Sequence, residues 1–228
     1  MGCSSGPDVV EDGLVLCLDA ASKRSYPGTG TTWTDTVGGI SGSFVNQTVF
    51  DSSNAGSLSF DGADDAVQLN SFPQLFSDSF TVSIWAYKEQ SSVRDIFFGS
   101  CCVANSVNFE VLADNSVRFW WNYGQKDVRS ATGISTTGWQ YLVYQRDRIS
   151  STSSTVKMYY NNNLIKNITY GTNFSDTTTP STFYLGRDAR TNTGTPLYGK
   201  ISIMTIHNRA LTADEIRRNY LSTKERYQ

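Results

Sequence analysis

The sequence predicts an all-β fold: an antiparallel β-sandwich closed by one short C-terminal helix. Three observations carry that prediction. Short runs of alternating apolar and polar residues recur about every ten residues, with turn-forming residues between them. No long helical segments are interposed, as an α/β protein would require. Thr, Ser, Val, Tyr and Asn are abundant while helix-favouring residues are scarce, the bias of strands and turns. With 228 residues, 39% hydrophobic, and 5 Trp, 12 Tyr and 12 Phe, the chain has the apolar area for one large sandwich or at most two small domains.

Residues 1–12, rich in Gly, Ser and Pro, read as a flexible N-terminal lead, and residues 13–228 as the folded domain. Leu14 to Asp19 (LVLCLD) is an apolar run. From Phe80 to Tyr87, Phe80, Val82 and Ile84 alternate against Thr81, Ser83 and Trp85, the period of a strand; Trp85 and Trp139 are expected to fill the sandwich core. Ser116 to Trp121, Trp139 to Arg146 and Ile201 to His207 are further strands. Val156–Tyr160 and Leu164–Ile168 flank Asn161-Asn162-Asn163, a tight hairpin whose asparagines tolerate positive φ. In the one helix, Thr212 is the N-cap and Glu215, three residues on, completes a capping box. Asp214 adds negative charge to the first turn, and Ile216 and Tyr220 form an apolar stripe. Loops at 23–43 and 171–181 are rich in Gly, Thr, Ser and Asn, the kind that carries recognition at the ends of a sandwich.

Several function classes are disfavoured. The formal net charge is -2, and no Lys/Arg run precedes the Arg217-Arg218 pair, so no basic stripe for nucleic acid is expected. No run of about eighteen apolar residues spans a membrane. The start, Met-Gly-Cys-Ser-Ser-Gly, shows no apolar core of a signal peptide, and Gly6 stands where a myristoylation motif wants Ser or Thr. Cys3, Cys17, Cys101 and Cys102 lack metal-ligand spacing and are expected as unpaired thiols, Cys17 as a small core residue. The sequons at Asn46, Asn167 and Asn173 matter only in a secretory pathway.

A series of segments resembles laminin-G-like domains of the concanavalin A-like lectin and glucanase group. It runs from Leu58-Ser-Phe-Asp-Gly-Ala-Asp-Asp through Phe80–Tyr87, Gly138-Trp-Gln-Tyr-Leu-Val-Tyr, Val156-Lys-Met-Tyr-Tyr and Phe183-Tyr-Leu-Gly-Arg. It closes with Leu197-Tyr-Gly-Lys-Ile and the capped helix. The resemblance implies a jelly roll of two packed antiparallel sheets. The opening Gly13-Leu-Val-Leu-Cys-Leu-Asp-Ala-Ala, with Ser25-Tyr-Pro-Gly-Thr-Gly-Thr-Thr-Trp-Thr-Asp, is similar to laminin-G-like domains in virion proteins of tailed phages.

Some relatives of this fold hydrolyse glycans with two carboxylates about 5–9 Å apart. No Glu-x-Asp-x-Glu run exists here; Glu110 and Asp114 flank an apolar stretch, Asp64 and Asp65 are neighbours, and His207 sits in a strand. The chain is therefore expected not to be an enzyme. Calcium is the cofactor to consider, since such domains often hold it with loop oxygens. Leu185-Gly-Arg-Asp-Ala-Arg resembles a pentraxin calcium loop in which Asp188 keeps one carboxylate. Asp61, Asp64 and Asp65 offer a separate single site, the alternative being that Asp61 caps the turn before Gly62. For glycans, Trp120-Trp121-Asn122-Tyr123 with Gln125 is the richest aromatic and polar cluster. Adjacent strand residues face opposite ways, so one tryptophan belongs to the core and the other to the surface, as a sugar platform or a protein contact. The function expected is a non-catalytic virion-surface protein (a decoration, fibre or tail component) contacting other virion proteins, copies of itself and host glycans. An extracellular carbohydrate-binding lectin module is the alternative, and a glycoside hydrolase the third.

Overall fold

The computed structural model describes residues 9–70, 72, 74–100, 105–121, 126–189 and 196–228. Its strands form two antiparallel sheets. The first runs in the order β14 (Asn163–Tyr170), β13 (Ser153–Tyr160), β12 (Gly138–Ser150), β7 (Phe80–Lys88), β16 (Tyr198–His207), β5 (Ser57–Asp61) and β4 (Val49–Asp51). Off that path, β1 (Leu14–Asp19) pairs with β16. The second runs β11 (Lys126–Arg129), β10 (Val117–Trp121), β9 (Val107–Val111), β8 (Asp95–Gly99), β15 (Thr182–Leu185), β6 (Ala66–Asn70), β3 (Ser41–Val45) and β2 (Thr32–Thr34). The predicted hairpin is present: β13 pairs β14, and Asn161 and Asn162 turn it at φ 46 and 68.

The period-two pattern decides which side chains meet between the sheets. On β7, Phe80, Val82, Ile84 and Ala86 enter the main core with Phe119, Trp121, Tyr144, Phe174 and Phe183. Their neighbours Thr81, Ser83, Trp85 and Tyr87 face the other way. Trp85 and Trp139 therefore lie outside the sandwich core, correcting the expectation. They pack on the outer face of the first sheet, where Trp85 stacks on Tyr227 at 4.2 Å and Trp139 meets the same ring at 4.6 Å. The tryptophan that does fill the core, besides Trp121, is Trp33.

α1 (Ala213–Thr223) covers that outer cluster. Its capping box forms as expected: Thr212 Oγ1 accepts from the Glu215 N–H, and the Glu215 carboxylate accepts from the Thr212 N–H. Ile216 is buried, Tyr220 stacks on Trp85 at 5.7 Å, and Thr223 Oγ1 accepts the Trp85 indole N–H at 2.7 Å. Two expectations at the N-terminal end are corrected. Val9 and Val10 are buried, with the Val10 N–H donating to Asn219 Oδ1 at 2.8 Å, so the segment before residue 13 docks against the helix from residue 9 onward. Cys17 is disulfide-bonded rather than a free core thiol, its partner lying outside the described residues.

The loops singled out as recognition elements are largely anchored. Asp35 accepts the backbone N–H groups of Cys17, Val37, Gly38 and Ile40, so the Trp33-Thr34-Asp35 segment places a core aromatic and organises the turn behind it. Gly38 is needed there because a Cβ would sit 2.4 Å from the Val15 carbonyl oxygen. In the 171–181 segment Phe174, Thr177 and Thr179 are buried, and Asp176 is held by Arg146 at 2.6 Å and Arg148 at 2.8 Å.

Candidate functional site

A cleft of about 670 Å³ opens on the outer face of the first sheet, where β4, β5 and β16 end. It is lined by Asn46, Gln47, Ser59, Asp61, Asp64, Asp65, Glu89, Tyr198 and Lys200, among others. Strand register builds it: β16 runs antiparallel to β5 and sets Tyr198 opposite Asp61 and Lys200 opposite Ser59. Tyr198 is 44% exposed although aromatic, and it packs over Gly62, where a Cβ would stand 2.9 Å from the Tyr198 Cβ. Gly62 also turns the chain at φ +77, a conformation open to glycine.

The acidic loop at one side of the cleft is partly structural. Asp61 Oδ1 accepts from Ala63 N–H at 2.8 Å and Asp64 N–H at 3.3 Å, the turn cap weighed against a metal role. Asp65 is buried, and its two oxygens accept from Gln47 N–H at 3.0 Å and Asp61 N–H at 3.2 Å. Burial pushes the Asp65 carboxyl above its ordinary value, and the charges of Asp61 and Asp64 add to the push. The ligand atoms of Asp61, Asp64 and Asp65 lie within 4.8 Å of one another, so these three could share one cation. That donor set fits calcium in kind, although Ca²⁺ takes six to eight oxygens and the three carboxylates supply only part of its shell. Lys200, the cationic side chain of the cleft, is committed to Asp51 at 2.6 Å, and Asp51 is in turn held at about 2, chiefly by that Lys200 hydrogen bond. Among the lining side chains, four carboxyl groups (Asp61, Asp64, Asp65 and Glu89) face one lysine, while Arg187 reaches the Asp64 carbonyl from outside at 3.4 Å.

The other sequence-nominated residues lie elsewhere. Asp188 is buried at the far end of the Gly186 turn, close to Asn108 and Gly99, and is not one of the three clustered carboxylates. Trp121 is in the core, its indole N–H donating to the Ser175 carbonyl at 3.2 Å. Trp120 is half-buried on the outer face of the second sheet, where the Arg118 guanidinium lies 5.8 Å from its ring. Asn122, Tyr123 and Gln125 fall outside the described residues. Glu110 is fully buried and ion-paired with Arg94 at 2.6 Å and Arg118 at 3.3 Å, whereas Asp114 caps its own turn through Ser116. His207 is buried with Nε2 2.9 Å from the Val10 carbonyl oxygen, and burial lowers its pKa.

Sequence reasoning found the acidic loop and missed the rest of the cleft: Asn46, Gln47, Glu89, Tyr198 and Lys200. A tyrosine between Leu197 and Gly199 reads as one more strand aromatic. Only the β5–β16 register reveals that it stands exposed beside the acidic turn.

Two antiparallel sheets with a rim cleft define a lectin-like jelly roll. Residues 61–217 match a laminin-G-type family of the concanavalin A-like lectin/glucanases superfamily, and the chain belongs to that family. No curated protein matches it in sequence. Among solved structures, the binding domain of botulinum neurotoxin serotype D shares the fold with a TM-score of 0.70 at 13% identity, over 92% of this chain and 52% of that one. Botulinum neurotoxin type C, whose passage into cells depends on two ganglioside molecules, is similar with a TM-score of 0.69 at 14% identity, over 92% of this chain and 51% of that chain. A Trypanosoma rangeli sialidase in complex with sialic acid gives a TM-score of 0.68 at 14% identity, over 96% of this chain and 34% of the sialidase. The chain thus spans about half of each toxin chain and a third of the sialidase, and at these identities the likeness is one of fold.

Proposed function

We propose that this chain is a non-catalytic glycan-binding module, carried on a virion surface, that takes neutral or amine-bearing sugars in the rim cleft. The observation that supports it is the composition of that cleft: an exposed tyrosine ring beside carboxylates and amides. An aromatic face stacks on the apolar side of a sugar ring, while carboxylate and amide groups bond its hydroxyls in fixed directions. Because Asp61, Asp64, Asp65 and Glu89 outnumber the single lysine, sialylated or sulfated glycans meet repulsion there. Calcium held by Asp61, Asp64 and Asp65 would add a positive point at the cleft wall and make binding sensitive to chelation. The virion setting, with other virion proteins and further copies of this chain as neighbours, is supported by the resemblance of the opening segment 13–35.

A glycan array probed with the purified chain, with and without EDTA, tests the reading. Binding concentrated on neutral or amino sugars supports it, and loss of that binding in EDTA adds the calcium site. Absence of binding across the array overturns it. Release of free sugar from bound glycans would replace it with hydrolysis.

A further inference from the structure

Lys88, the last residue of β7, is fully buried. Its Nζ faces three acceptors: the Val93 carbonyl at 3.0 Å, Asn115 Oδ1 at 3.4 Å and Asp95 Oδ2 at 3.3 Å. Three acceptors suit an ammonium group, and an ordinary buried ion pair would end the matter there. Several features go further. The Asp95 side chain is only 2% exposed, burial pushes its carboxyl up against the pull of Lys88, and Oδ2 makes no well-aligned hydrogen bond. The Asn115 carboxamide is fixed in place, since Oδ1 also accepts the Ser92 N–H at 2.9 Å. Both residues of that contact have left-handed backbone, Ser92 at φ 59 and Asn115 at φ 58, a conformation that asparagine tolerates in turns and serine adopts uncommonly.

A buried amine and a buried carboxyl, with a half-buried carboxamide against them, are the groups needed to exchange one amide for another. We propose that Lys88 and Asn115 become joined by an intramolecular isopeptide bond, with Asp95 carrying the proton. Asp95 takes a proton from the Lys88 ammonium, leaving a neutral amine. Nζ then attacks Cγ of Asn115, and the negative charge that builds on Oδ1 is met by the Ser92 N–H already aimed at it. Asp95 returns the proton to Nδ2 as the Cγ–Nδ2 bond breaks, and takes up the second proton that Nζ sheds on becoming an amide nitrogen. One C–N bond forms and one breaks; nitrogen leaves as ammonia with the first ammonium proton, the second stays on the Asp95 carboxyl that was ionised at the start, and no oxidant or water takes part. Nζ lies 3.4 Å from Oδ1 and farther from Cγ, so the two side chains must turn to bring Nζ within the separation of about 3–3.5 Å from which bonds form. The bond would tie β7 of the first sheet to the β9–β10 turn of the second, bracing the sandwich across its two layers.

The full chain, reduced and denatured, is weighed by intact-mass spectrometry and then mapped with trypsin. The expected mass is lower than the sequence value by one ammonia, with Lys88 uncut and its peptide branched onto the peptide that holds Asn115. Asn115→Ala is expected at its full sequence mass, and Asp95→Asn unlinked while still melting cooperatively. Separate, unmodified Lys88 and Asn115 peptides from the folded wild-type chain overturn the proposal, whatever the variants do. A branched peptide formed equally well in Asp95→Asn overturns the role given to Asp95.

Discussion

Arg146 is the most consequential polar residue inside this sandwich, and replacing it with methionine tests why. The side chain is fully buried in β12, between the aromatic faces of Trp121 at 5.0 Å and Phe174 at 5.4 Å. Its Nε donates to Ser154 Oγ at 2.8 Å, Nη1 to the Phe76 carbonyl at 2.6 Å, and Nη2 to Asp176 at 2.6 Å. One guanidinium thus ties the 74–79 and 171–181 segments to β12, and β12 to Ser154 of β13. Methionine keeps most of the volume but removes every donor, leaving the Ser154 hydroxyl without its partner and the Phe76 carbonyl with only the Thr177 N–H at 3.3 Å. Asp176 keeps Arg148, so part of the ion-pair energy survives. Breaking a buried charge pair costs about 3–5 kcal/mol, and the surviving Arg148 contact argues for the lower half of that range. For a chain of this size, 3 kcal/mol corresponds to a fall in Tm of roughly 6–12 °C. Urea titration followed by tryptophan fluorescence measures it, with Arg146→Lys restoring only part. A loss under about 1 kcal/mol would refute the claim that this guanidinium anchors the two segments.

Further outcomes follow from the same structure. Trp85→Phe removes the indole bond to Thr223 and loosens α1, so it should lower stability by about 1–2 kcal/mol and raise hydrogen exchange in residues 213–227 while β7–β12 amides stay protected. For His207, burial lowers the folded pKa below 6.5, so the unfolded chain binds more protons near that value. Stability is fully present above about pH 6.5 and declines as pH falls toward the folded pKa; the decline should shrink in His207→Gln when melts are compared across that window. Glu215 is held at about 2 instead of 4.5, first by the Arg209 guanidinium. The stability it supplies is present above its ordinary value and lost as pH falls from there to about 2, and Glu215→Gln, read by chemical denaturation, should remove about 1 kcal/mol at neutral pH.

The fold was legible because its signals are local. Alternation in Phe80–Tyr87, the asparagine turn at 161–162 and the Thr212–Glu215 box each depend on residues a few positions apart, and each formed as expected. Alternation says which residues share a face but not what covers the outer one. That is why Trp85 and Trp139, expected in the core, instead lie under the C-terminal helix and Tyr227. The docking of Val9 and Val10 depends on a contact between the two ends of the chain, and the bonding of Cys17 on a partner outside the described residues; no short-range pattern encodes either. At the candidate site, Asp61, Asp64 and Asp65 were readable as an acidic turn. Their companions Glu89, just past β7, and Tyr198, at the start of β16, lie more than twenty positions away in sequence and meet them only through the β5–β16 register and the end of β7.

The central claim is that the rim cleft binds sugar through Tyr198. Calorimetric titration of the wild-type chain and of Tyr198→Ala with the strongest neutral glycan from an array tests it most directly. Tyr198 is surface-exposed, so the variant should melt with the wild type while its affinity falls at least tenfold, and the sialylated form of the same glycan should bind wild type more weakly than the neutral one. Unchanged affinity in Tyr198→Ala, or a preference for the sialylated form, would contradict it.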